Sequence, residues 1–367
     1  MKSNYLELLA SLVNIDSGSG DAEGIAAISE VIRPRLVQLG FSFEPVAAAD
    51  GSVHFLARRG AGKKVVLLAH LDTVFPRGTA AGRGFHIERD LAFGPGVSDC
   101  KSGVVTIIGA LEQVGRDQWP EIEVNCLFNS DEEISSPGSR KIIEDLVKDA
   151  AAVLVVEPAE GENLTVARKG IGRFTLRVFG KSAHSGSDYS EGCNAILELA
   201  HKIIAIQNLT DLEAGVTLNV GAVNGGVRPN VVPDYAMAEI DLRIVKPDQA
   251  EPVLKELERI AGTAVVSGAS ARLSGGVTRP PMPVSEINLK LYEKLRQVGR
   301  EIGVELGTFQ SGGGSDANFA AALGVPTIDG VGPIGGGHHS EAEFLNIPSL
   351  YRRIDLLARF LRVFPNI

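Results

Sequence analysis

A chain of 367 residues is longer than the roughly 150 of one ordinary domain, so two domains are expected. With 44% hydrophobic and 22% charged residues it can bury a sizeable core, and its 36 basic and 45 acidic side chains leave a formal charge of −9. No run of Lys and Arg is long enough to follow a phosphate backbone, and no stretch of ~18 uninterrupted apolar residues offers a membrane span, so neither nucleic acid nor membrane is an expected partner.

Apolar positions Tyr5, Leu6, Leu8, Leu9, Leu12 and Val13 predict a helix within Met1 to Ile15. It is too short and too polar for a secretory signal, and a cytoplasmic location is expected. After the loop at 16–20, Asp21 is the predicted N-cap of a helix carrying Ile25, Ile28, Val31, Ile32, Leu36 and Leu39, with Pro34 inside it and Gly40 at its end. Strands are expected around 41–46 and 53–57. Lys63 to Leu68 then reads as a strand buried on both faces, stopping at His70 and Asp72. On an extended chain these two share a side, which suits a carboxylate orienting a metal-binding imidazole; satisfied polar groups at a strand end explain the pair equally well.

A glycine-rich loop, Phe93 to Gly103, precedes a small-residue helix over 104–114. The strand Ile122 to Phe128 runs into Asn129-Ser130-Asp131-Glu132-Glu133. After a helix near 139–148, the strand Ala151 to Val156 ends at Glu157-Pro158. Strand, loop and helix repeat with acidic groups at the strand ends, which predicts an α/β fold whose ligand site lies beyond the carboxyl ends of the strands. From about Gly170 alternating strands near 174–179, 217–223, 235–243 and 269–273, with helices over 194–207 and 249–261, predict a small α+β, ferredoxin-like sandwich at 171–279. The first domain, 1–170, resumes over 280–367. There we expect a helix from Val284 to Ile302, a tight loop Gly312 to Asp316, a strand Val325 to Asp329, the stretch Gly335 to Glu341, and a closing helix Ser349 to Val363 capped by Ser349. Cys100, Cys126 and Cys193, odd in number and without a CxxC pair, read as buried thiols.

The groups so gathered are His70, Asp72, Asp99, Glu132, Glu133, Glu157 and His339. Nitrogen and oxygen donors without thiolate suit zinc, with cobalt or manganese as substitutes. They outnumber what one catalytic zinc uses; two metals ~3.5–4 Å apart, bridged by a carboxylate and a water, would use them all. Of the adjacent Glu132 and Glu133, one would bind metal and the other act as general base. Gly180-Lys181-Ser182 lacks the glycine a phosphate loop needs where Thr175 stands, and no GxSxG supports a serine nucleophile.

In order over nearly the whole chain, His70-Leu71-Asp72-Thr73-Val74, Gly94-Pro95-Gly96-Val97-Ser98-Asp99, Ser130-Asp131-Glu132-Glu133, Val156-Glu157-Pro158 and His339-Ser340-Glu341-Ala342-Glu343 resemble the M20 metallopeptidase family, and its glutamate carboxypeptidase G branch in particular. The resemblance implies a zinc-peptidase-like catalytic domain, a mixed sheet flanked by helices, holding two zinc ions per chain. Asp99 would bridge them, with His70 and Glu157 on one and Glu133 and His339 on the other; Glu132 would be the general base and Asp72 would orient His70. It implies a cis Asp99-Cys100 peptide. It further implies that 171–279 is a dimerisation or lid domain of a homodimer. There His184, in Lys181-Ser182-Ala183-His184-Ser185-Gly186, would reach the neighbouring subunit's active site and stabilise an oxyanion.

Asn230, Arg243, Ser315 and Arg279 resemble contacts to a substrate carboxylate, although Arg243 also suits a structural pairing with Asp241 or Glu239. The activity implied is hydrolysis of a small peptide or N-acyl amino acid with release of a C-terminal amino acid. An N-deacylase of the acetylornithine or succinyl-diaminopimelate type is the rival; Asn163 stands where the carboxypeptidase G branch often carries a lysine, which weakens the case for glutamate as the released residue. A metal-dependent binding protein without catalysis is the alternative from another class; such a chain would be expected to lack Glu132 or a ligand.

Overall fold

The computed structural model describes residues 5–117 and 119–366. Two compact units result: Met1–Ala167 with Val284–Ser311 and Ser315–Ile367, and Arg168–Pro283 with Gly312–Gly314. The first helix spans Tyr5–Val13, and Met1 to Asn4, part of the expected helix, lie outside the described residues. None of the described helices is long and apolar enough to cross a membrane.

The first unit is built on a six-stranded mixed sheet. Its strands β1 (Ser42–Ala47), β2 (Val53–Gly60), β3 (Lys63–His70), β4 (Ile122–Asn129) and β5 (Ala152–Val155) lie in the order β1-β2-β4-β3-β5, and Thr327–Ile328 adds the far edge. β3 runs parallel to both β4 and β5, whereas β2 meets β4 antiparallel. The branched residues Val65 to Leu68 are buried on both faces because helices cover both sides of the sheet.

The helix Lys101–Val114 is almost wholly buried, and Ile354 of the closing helix packs against it at Gly109. A Cβ there would stand 2.9 to 3.2 Å from the Ile354 side chain, so only glycine admits this approach. At the start of the same helix a Cβ on Gly103 would overlap the Val156 carbonyl; its absence lets the helix abut the end of β5, next to Glu157.

Gly170–Phe179, Thr217–Gly225, Tyr235–Ile244 and Ser270–Arg279 form the second unit's antiparallel sheet, in spatial order second, third, first, fourth. Alternate residues of Tyr235–Ile244 are buried under the helices Ala195–Gln207 and Ala250–Gly262, as half-covered strands require. A buried ion pair joins those helices. Lys202 Nζ lies 2.9 Å from Glu198 and donates to the Ile260 and Thr263 carbonyls at 2.7 and 3.0 Å, while Glu198 accepts the Val265 and Val266 amides at 2.9 and 2.6 Å. Glu198 Oε2 takes both amides and Lys202 Nζ the carbonyls, hydrogen bonds that help a buried pair survive.

Several local expectations need correction. The closing helix is Ile347–Val363, and its cap is Asn346, whose side chain accepts the Ser349 amide; Ser349 lies inside the first turn, its hydroxyl donating to the Asn346 carbonyl at 2.6 Å. The expected strand Val325 to Asp329 is only Thr327–Ile328. Four short strands not expected from the sequence, His86–Glu88, Leu91–Phe93, Gly335–Gly336 and Phe344–Asn346, form a separate small sheet.

Candidate metal centre

The register pairs His70 with Asn129 and Leu68 with Val155, so β3, β4 and β5 end at one edge of the sheet. His70 is the last residue of β3. Its Nδ1 donates to the Asp72 carbonyl at 2.9 Å and lies 3.4 Å from Asp72 Oδ1, which turns Nε2 toward Asp99 Oδ1 at 3.0 Å and Glu157 Oε1 at 3.6 Å. A ring fixed through its far nitrogen in this way is pre-oriented to ligate.

The Asp72 carboxylate also serves the next strand. Its oxygens accept the Glu132 amide at 3.1 Å and the Glu133 amide at 3.2 Å, and Ser19 donates to it at 2.7 Å. One buried carboxylate therefore lies beside the histidine ending β3 and holds the backbone of the acidic pair following β4.

On the other side of Asp99, Oδ2 lies 3.3 Å from His339 Nε2, which is 3.1 Å from Glu133 Oε2. Asp99 stands between two donor sets, one oxygen facing each. His339 reaches it from a left-handed backbone, φ 61°, whereas the adjacent His338 meets the Ser98 hydroxyl at 3.2 Å. The Asp99–Cys100 peptide is cis.

Such crowding shifts protonation. Burial raises the Glu157 carboxyl well above its ordinary value, and the neighbouring Asp99 and Glu132 charges add to the rise against the pull of His70. Burial opposes protonation of His70, yet Glu157 and the hydrogen bonds to Asp72 and Asp99 lift it well above the usual imidazole range. Hydrogen bonds to Asp99 and Glu133 push His339 up to about 10. For Asp99 burial works against ionisation, but the His339 and His70 rings hold it well below the carboxylate range. The cluster attracts positive charge, and its three carboxylates and two imidazole nitrogens fit divalent metal with N/O preference. Cys100 also faces His70 and Glu157, but burial raises its thiol well above normal and it donates to the Val156 carbonyl at 3.2 Å. A neutral thiol of this kind is a poor zinc ligand.

Residues 66–363 match the model of peptidase family M20/M25/M40. The chain belongs to this family. It is 33% identical to carboxypeptidase G2 of Pseudomonas sp. (strain RS-16) over 97% of this chain and 88% of that one. It is 26% identical to N-acetyl-L-citrulline deacetylase of Xanthomonas campestris, with 98% of each covered. Its fold is that of a tripeptidase from Staphylococcus aureus, TM-score 0.87 at 21% identity over 100% of this chain and 99% of the other. An M20 metallo-carboxypeptidase from Sulfolobus solfataricus aligns at TM-score 0.79 and 19% identity over 100% of each. The chain is thus a zinc-dependent M20 metallopeptidase or amidohydrolase with an α/β catalytic domain.

Further side chains hold this M20 site together. Glu343, buried, accepts the amides of Gly96, Ser98 and Asp99 at 2.8, 3.0 and 3.0 Å, tying the Asp99 loop to the segment that follows His339. Phe93 pairs with Phe344 in the small sheet and joins the same two segments through the backbone. Asp316 accepts Asn129 Nδ2 at 2.7 Å and the Ser136 hydroxyl at 2.5 Å, and Asp131 accepts the Gly138 and Ser139 amides at 2.7 and 3.0 Å. They brace the turn after Glu133, where Ser135 and Ser136 adopt φ of 74° and 56°, a conformation non-glycine residues hold only when well supported.

The remaining expected site residues have partners of their own. Ser315 is buried with its hydroxyl on Asp329. In the second unit Arg243 grips Asp241 at 2.7 and 3.2 Å, Arg279 is buried, and the Asn230 carbonyl accepts the Ser185 amide at 3.1 Å. His54 is buried between Ser52 and the Ser130 amide.

Proposed function

We propose that this M20 enzyme is a two-metal amidohydrolase that cleaves a small peptide or N-acyl amino acid and releases the C-terminal amino acid. The division of the Asp99 carboxylate between His70 with Glu157 and His339 with Glu133 supports this reading most strongly. These five side chains would hold the pair, with Asp99 between. Zinc bound there supplies Lewis acidity that polarises the scissile carbonyl and lowers the pKa of water. Glu132, on a turn fixed through its amide to Asp72, takes the proton of the attacking water and returns it to the leaving amine.

His184 accepts the Gly186 and Ser187 amides at Nδ1, both at 3.1 Å, so its hydrogen resides on Nε2. In the homodimer we propose, built through the second unit, that N–H stabilises the oxyanion of the neighbouring subunit. Sedimentation should therefore find a dimer; a fully active monomer would remove His184 from this role. Asn230, Arg243, Arg279 and Ser315 are proposed to receive the substrate carboxylate, and the site of action is proposed to be the cytoplasm.

One observation favours the N-deacylase reading as the second choice. Asn163 donates to the Glu160 carbonyl at 2.8 Å, closing its own turn, and offers no ammonium to a glutamate side chain. A panel of dipeptides and N-acyl amino acids incubated with zinc-loaded protein should yield a free C-terminal amino acid from at least one member. Release only of N-terminal residues from longer peptides would overturn the carboxyl-side assignment.

A further inference from the structure

We propose that the cleft beside Glu133 is the subsite for the acyl half of the substrate, and that it accepts an uncharged, apolar acyl group. This deepens, and rests on, the amidohydrolase reading above. The cleft encloses about 680 Å³ between residues 18–21, residues 73–77 and the pair Glu133 and Ile134, all in the first unit. That volume lies within the roughly 300–1,000 Å³ of small-molecule sites.

The cleft reaches the metal centre at one residue, Glu133. Glu133 forms part of its wall, and Ser19, opposite, donates to the same Asp72 carboxylate that holds the Glu133 amide. Two large apolar side chains stand in water there, Val74 at 43% exposed and Ile134 at 56%. Leaving such groups exposed sacrifices hydrophobic stabilisation that an apolar ligand would restore. Ile134 follows Glu133 directly, which sets an exposed apolar side chain beside that carboxylate residue at the cleft.

Charge argues against the other half of the substrate. The leaving amino acid carries a carboxylate, and the cation lining the cleft, Arg77, is already engaged: Nη2 and Nε donate to Asp21 at 2.6 and 3.1 Å, and Nη1 to Glu23 at 2.9 Å. With Arg77 held by Asp21 and Glu23, no free cation among the described lining residues is left to receive an anionic group. Ile134 also borders a second cavity of about 450 Å³ lined by Ile25, Val53 and Phe55. Ile134, like Gly20, lines both spaces, so its size would govern the acyl length that fits.

The test compares kcat/KM for N-acetyl-, N-octanoyl-, N-dodecanoyl- and N-succinyl-L-glutamate and -L-alanine in the wild type, Val74→Asp and Ile134→Ala. Calorimetric titration with octanamide gives a readout that needs no turnover. The wild type should prefer octanoyl to succinyl; Val74→Asp should reduce the octanoyl-to-acetyl ratio and octanamide affinity by about tenfold each. Ile134→Ala should shift the optimum toward dodecanoyl. Hydrolysis that persists with the acyl preference unmoved in both variants, or a wild-type preference for succinyl, overturns the subsite while the amidohydrolase reading stands. Failure to cleave any conjugate or dipeptide overturns both.

Discussion

Glu132→Gln should lower kcat by roughly 100- to 10,000-fold, the contribution expected of a positioned general base, while zinc content and KM stay near those of the wild type. The amide keeps the size of the side chain and cannot take a proton. The backbone should not move, because the Glu132 amide is held by Asp72 Oδ1 at 3.1 Å and the Glu133 amide by Oδ2 at 3.2 Å, neither contact involving the substituted group. Steady-state kinetics beside metal analysis by mass spectrometry separates the two effects. Near-normal kcat in Glu132→Gln would mean that some other group carries the proton.

Asp99→Ala should be the most damaging change to metal content. Because each oxygen of Asp99 faces a different donor set, its loss should weaken both sites, by more than the roughly 10- to 100-fold that removal of an outer-shell partner costs. Glu133→Ala should spare the His70 and Glu157 side and leave about one zinc per chain of an original two or so. Equilibrium dialysis against graded chelator distinguishes the two patterns. If Asp99→Ala retained one zinc at wild-type affinity, Asp99 would belong to a single metal and the two-metal reading would fail.

Much of this architecture is legible because it is written in runs and in spacing. A branched run such as Val65 to Leu68 announces a buried strand, and parallel strands with acidic ends announce a shared edge; β3, β4 and β5 place His70, Glu132, Glu133 and Glu157 there as that reasoning requires. The small sheet is illegible for the converse reason: strands of two or three residues such as Gly335–Gly336 carry no period to detect. The closing-helix cap fails on a tie. Asn346 and Ser349 are both good capping residues three positions apart, and only the hydrogen bond to the Ser349 amide chooses between them.

The supporting acids escape in another way. Asp72 is expected to orient His70, and the carboxylate lies near that ring, but its stronger engagement is with amides 60 and 61 residues away. Glu343 stands in plain view after His339, yet its three amide partners lie about the Asp99 turn, in a different part of the sequence. A side chain whose role is to hold distant backbone has no local pattern, and only the folded chain reveals it.

The discontinuity of the first unit bears on how the molecule is made. A ribosome delivers the chain from its N-terminus, and domains fold as their residues emerge. By Pro283 the second unit has every residue except Gly312–Gly314, whereas the first still lacks the edge strand Thr327–Ile328 and the helix Ile347–Val363. The apolar surface of Lys101–Val114 around Gly109 must therefore wait, uncovered, for Ile354. The nascent chain becomes a natural client for chaperones during that interval, and truncations ending between 283 and 354 should collect in inclusion bodies.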